Sequence, residues 1–130
     1  MAVDPRGEDL KRLLREDPGG PVVMLNLLRF ADGGRESYAR YSAALRETFL
    51  DRYGAEVVYA GDGSTVLVAE EGQAWDAVLL VRYPSRAAFS KMVADQDYQQ
   101  FTHFRTEALT EAVLQATIPW PTPDAQAGPA

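Results

Sequence analysis

The sequence contains no cysteine and a single histidine, His103. Without thiols there is no disulfide framework, no thiolate metal site and no cysteine nucleophile. One imidazole supplies no zinc set, so any metal would need carboxylates alone, and none is expected. A lysine-bearing phosphate loop and a Gly-x-Ser-x-Gly elbow are both missing, and Gly61-Asp62-Gly63 is too short to cradle a phosphate. Basic residues are outnumbered, 13 against 19 acidic, for a formal charge of −6. Such a field repels a phosphate backbone, so no nucleic-acid partner is expected. Apolar runs are short: residues 22–28 and 77–81 fall far below the roughly 20 needed to cross a bilayer. The charged opening stretch has no apolar signal-peptide core. A cytoplasmic protein without a membrane partner is the resulting expectation.

What is present fits one ordinary domain. The 130 residues are 46% hydrophobic and 25% charged, values typical of packed soluble chains. Leu10, Leu13 and Leu14 are spaced as on a short amphipathic helix over 8–16, ended by Pro18, Gly19, Gly20 and Pro21. Residues 21–30 are nearly all apolar and predict a buried strand. Tyr38, Tyr41, Leu45, Phe49 and Tyr53 mark a second helix over 36–53, with Gly54 placed for a left-handed cap. Residues 56–60 and 64–69 are strand-like around Gly61-Asp62-Gly63, as one bent strand or two short ones. Residues 75–83 form another apolar strand. Ser85 is placed to cap a helix carrying Phe89, Met92 and Val93, and Asp95 to cap a continuation over 96–110. A last strand is expected over 112–118. The tail from 119 is Pro-rich, then small and polar, and is expected to be extended or disordered. The division is therefore an N-terminal helical extension (1–20), a domain over 21–118 and that tail (119–130).

After the first helix the order is β-α-β-β-α-β, the α+β arrangement of ferredoxin-like domains, with strands one and three central in a four-stranded antiparallel sheet. Both faces of those strands are apolar. Val22, Met24 and Leu28 lie on one face of the first, Val23, Leu25 and Leu27 on the other. Two helices cover only one face, so the other needs a cover, and a second copy in a two-fold homodimer is the economical one.

Several stretches carry a resemblance to a known family. Pro21-Val-Val-Met-Leu-Asn-Leu-Leu-Arg-Phe30, Tyr38-Ala-Arg-Tyr41 and Tyr53-Gly54 resemble its first half. Trp75-Asp-Ala-Val-Leu-Leu-Val-Arg-Tyr-Pro-Ser-Arg-Ala-Ala-Phe89, then Asp97-Tyr98-Gln99 and Arg105, resemble its second. The family is the domain-of-unknown-function family numbered 1330, within the dimeric α/β-barrel superfamily, and the resemblance spans residues 21–118. It implies a ferredoxin-like protomer, with two sheets packed face to face and the helices outside. It brings no reaction, because the family has none established. Elsewhere the superfamily includes cofactor-free monooxygenases and cyclases of aromatic polyketides, muconolactone isomerases, haem-binding enzymes and ligand-binding modules, and fold alone does not choose among them.

Polar residues on inward faces are the candidates for chemistry. Asn26 shares a strand face with Val22, Met24 and Leu28; its amide either bonds nearby backbone or orients a ligand oxygen. Arg105 falls within the stripe of Phe101, Phe104 and Ala108. A buried guanidinium needs an anion, either an internal carboxylate such as Asp76 or the carboxylate or enolate of a ligand. Tyr38, Tyr41, Tyr98 and Trp75 are amphipathic aromatics that mostly serve a core, with Tyr41, mid-stripe, the one best placed for a pocket. His103 points towards solvent on the helical wheel, yet it alone has an unperturbed pKa suited to proton transfer near neutrality.

Two functional readings follow. One is a cofactor-independent enzyme of monooxygenase, cyclase or isomerase type acting on a small aromatic or enolisable metabolite. In it Asn26, Tyr41, Tyr38 and Trp75 hold the ligand, Arg105 holds negative charge, and His103 or Asp76 moves the proton. The other is a non-catalytic ligand-binding or accessory dimer, which fits the poverty of catalytic residue types.

Overall fold

In the computed structural model, which describes residues 3–121, the chain forms a four-stranded antiparallel sheet with helices on one face. Helix α1 (Gly7–Arg15) begins where Asp9 accepts from the Arg6 backbone N–H at 2.9 Å, and carries acidic residues in its first turn and basic ones in its last. Strand β1 (Val22–Phe30) follows. Helix α2 (Gly34–Ala44) runs through a π-helical turn (Leu45–Phe49) into the single turn of α3 (Leu50–Arg52). Gly54 then adopts the expected left-handed conformation at φ 68°. Strands β2 (Glu56–Asp62) and β3 (Ala77–Tyr83) come next, then α4 (Arg86–Ala94), α5 (Gln96–Gln99), α6 (Thr102–Ala108) and β4 (Leu109–Thr117).

The strand order is β2-β3-β1-β4, with every neighbouring pair antiparallel. The two most apolar strands are central, and the topology is ferredoxin-like. Opposed residues share a face, so Met24, Val81 and Ala116 lie side by side, as do Asn26, Leu79 and Leu114. This inner face carries the core, in which Val22, Leu28, Phe49 and Met92 are fully buried. On the outer face Leu25 lies between Leu80 and Gln115, and Leu27 between Val78 and Val113; the apolar members are half-buried. Helices α2 and α6 run together so closely that a Cβ on Gly34 would collide with the Ala108 carbonyl.

Three local expectations are corrected. Residues 64–69 are not a strand. Pairing of β2 with β3 ends at Asp62 opposite Ala77, so the backbone beyond has no ladder to join. Val66, Leu67 and Val68 therefore stand exposed on the connecting loop. The helix expected over 96–110 divides into α5 and α6, separated by Gln100 and Phe101. It also stops earlier than predicted, because Leu109 is already extended, buried and paired with Phe30. The second helix is interrupted by its π turn rather than continuous. Beyond Pro121 the predicted tail lies outside the described residues. No helix among the described residues is long and apolar enough to cross a membrane.

Candidate functional site

Between the inner face of the sheet and the helices lies a cavity of about 170 Å³. Met24, Leu79, Val81 and Leu114 make its sheet side, with Asn26 the one amide among them. Tyr38 and Tyr41 reach it from α2, Phe89 and Met92 from α4, and Tyr98 from α5. Apolar cavities of about 150 Å³ admit a benzene ring, so this one is of a size for a single small aromatic molecule.

The tyrosines arrive there through local sequence logic. Tyr38 and Tyr41 are three residues apart on α2, with ring centroids 5.4 Å apart. Tyr98 is set by the start of α5, where the Asp95 carboxylate accepts from the Asp97 N–H at 2.8 Å. Asp95 is itself fixed by the Tyr53 hydroxyl at 2.5 Å and Arg52 at 2.8 Å. Those two donors, Tyr53 first, bring its carboxyl from 3.8 down to about 2. Phe49 meets Tyr98 edge-on, with centroids 5.6 Å apart.

The Tyr41 and Tyr98 hydroxyls lie 2.6 Å apart and share one hydrogen bond. Whichever phenol donates, the other keeps an O–H proton to give elsewhere. Burial raises both above the ordinary 10, reinforced at Tyr41 by the neighbouring phenol and opposed at Tyr98 by the shared bond and Arg105. Tyr38 is pushed up to about 12, again by burial first. The phenols therefore remain protonated donors at neutral pH.

Asn26 donates to the Met24 carbonyl only at a long 3.4 Å. Arg105 is 5% exposed and lines the cavity. Its Nη1 donates to the Val3 carbonyl and, at 2.8 Å, to the Asp4 carboxylate, while its Nη2 is buried with no hydrogen-bond partner among the described residues. Thr106 holds the other Asp4 oxygen at 2.7 Å.

The sequence-predicted residues thus separate. Asn26, Tyr38, Tyr41 and Arg105 converge on the cavity. His103 is exposed on α6, its ring 4.1 Å from that of Phe104. Asp76 is not the partner of Arg105; it is exposed and accepts from the Phe30 N–H at 2.9 Å. Trp75 lies under the Arg29 guanidinium at 4.5 Å, outside the cavity lining. Tyr98 and Asp4 were not among the predicted site residues. Asp95 and Tyr53 both mark where Tyr98 sits, whereas Asp4 belongs to a segment with no periodic pattern. Among the described residues no His, Asp and Glu side chains gather as a metal site.

Fold and cavity together define a ferredoxin-like domain with a small, mostly apolar chamber under its helices. Residues 28–116 match the model of a domain-of-unknown-function family (DUF1330), and the chain belongs to that family. A protein of unknown function from Rhodopseudomonas palustris has 30% identity over 92% of this chain and 98% of its own, with a TM-score of 0.82. A Bacteroides thetaiotaomicron protein bearing the name of an antibiotic biosynthesis monooxygenase shares the fold at 20% identity, over 76% of this chain and 89% of its own, with a TM-score of 0.57. A NIPSNAP family protein of unknown function from Agrobacterium tumefaciens does so at 17% identity, over 76% and 87%, with a TM-score of 0.54. No curated protein matches the chain.

Proposed function

We propose that this protein binds a compact aromatic molecule bearing an oxygen, with the ring in the cavity and the oxygen on the Tyr41–Tyr98 phenol pair. The observation that carries this reading is the 2.6 Å hydroxyl contact, which leaves one phenolic proton unspent in an apolar chamber. Asn26, bound only weakly to its own strand, supplies a second polar contact. Protonated phenols and a guanidinium are also groups that stabilise charge building on an oxygen, as an enolate-forming reaction requires. The residues expected to move a proton, His103 and Asp76, lie outside the chamber, so binding is the function the geometry supports best.

Calorimetric titration with benzyl alcohol tests the reading. Saturable binding is expected, weakened about tenfold in the Tyr41→Phe, Tyr98→Phe double variant, the loss of one hydrogen bond. Absence of binding at millimolar concentrations, or equal affinity in the double variant, would overturn it.

The protein is further proposed to act as a homodimer through the outer sheet face. Val23, Leu25, Leu27, Val78, Leu80 and Val113 form its apolar centre, with the ion pairs Arg29–Glu111 and Arg82–Glu56 on the same face. A patch of that kind, left open by helices that occupy the opposite face, suits a self-complementary interface.

A further inference from the structure

Arg105 is nearly fully buried, and among the described residues half of its fork is unused. Among the described residues Nη1 carries both of its contacts, to the Val3 carbonyl and the Asp4 carboxylate, whereas Nη2 is buried without a hydrogen-bond partner. A buried guanidinium with an unpaired N–H group pays desolvation without return. The fork is shaped for two parallel bonds to one carboxylate, and Asp4 engages it through a single nitrogen. Asp4 is also a poor permanent partner: its side chain is 42% exposed, and it comes from a segment ahead of α1 that is pinned to α6 through Arg105 and Thr106. That segment contributes Asp4 and Pro5 to the cavity wall.

We infer that Arg105 is the anion subsite of the cavity and that Asp4 is its built-in stand-in, so that the intended ligand is an aromatic carboxylate which displaces Asp4. The inference rests on the cavity reading above and adds its ligand class. A ligand carboxylate seated on Nη1 and Nη2 satisfies the unused half of the fork. It also frees Asp4 to return to water, where its partial exposure makes the cost small. The segment bearing Val3 to Pro5 then becomes a strap whose hold competes with ligand.

Benzoate and its neutral congener benzyl alcohol are titrated calorimetrically into the unaltered protein and the Asp4→Asn variant. Removing the competing charge is expected to tighten benzoate about tenfold and to leave benzyl alcohol within about twofold. Adding Arg105→Lys, which keeps the charge but loses the fork, is expected to reverse that gain; should this variant fail to fold, the Asp4→Asn pair decides alone. An unchanged ratio of the two affinities on Asp4→Asn would overturn the inference while leaving the cavity reading standing. Failure of both probes to bind any form would remove the cavity reading and this inference with it.

Discussion

Tyr41 and Tyr98 share a hydrogen bond inside an apolar chamber, and removing one hydroxyl differs in kind from removing both. A single Tyr98→Phe change strands the Tyr41 oxygen and is expected to cost about 1–3 kcal/mol. Tyr41→Phe should cost a similar amount, and the double variant less than the sum, because no buried polar atom is then left over. Urea denaturation of the four proteins measures that coupling. Asp95 gives a pH signature. Its carboxyl is held at about 2, against an ordinary 3.8, by the Tyr53 hydroxyl and Arg52. A depressed folded-state value stabilises above the ordinary one and is lost as the pH falls from about 4 to about 2. Tyr53→Phe, which removes the larger cause, should flatten the fall of the urea midpoint across that window. Of these residues the sequence made the anomalies legible: Asn26 and Arg105 stand out as polar groups in apolar stripes. It did not reveal which carboxylate meets Arg105, because Asp4 is 101 residues away and in no periodic element.

Elements were legible wherever burial gave them a period. Strands β1 and β3, the helices they connect and the caps at Ser85 and Asp95 all follow from spacing and turn chemistry. Residues 64–69 misled because β-branched composition marks a strand only where a neighbour is available to pair, and β3 begins only at Ala77, opposite Asp62. The α6–β4 junction misled because Leu109 completes an apolar helical stripe and fills a strand position equally well. The approach of α2 to α6 depends on one missing side chain. Gly34→Ala would press a methyl against the Ala108 carbonyl, which itself accepts from the Ala31 N–H at 2.8 Å. Its backbone target cannot swing aside, so a loss of about 1–3 kcal/mol is expected in thermal or urea melts.

At the scale of the whole molecule the sheet has two apolar faces with different fates. That both faces are apolar was readable from the near-continuous apolar runs of the central strands, yet no sequence rule shows that the packing on the inner one stops short and leaves a chamber. The outer one carries the proposed twin, and sedimentation equilibrium at micromolar concentration should return twice 14.3 kDa. A mass of one protomer there would refute the dimer without touching the chamber. The chamber is the central claim, and the chain carries its own reporters of it. Two of its three methionines, Met24 and Met92, line the cavity and are buried. With methionine methyls labelled with carbon-13, titration by benzoate should move the Met24 and Met92 resonances together, saturating at one affinity, through the ring current of the bound aromatic. Two methyl signals that stay fixed while benzoate binds would place the ligand elsewhere and contradict the account.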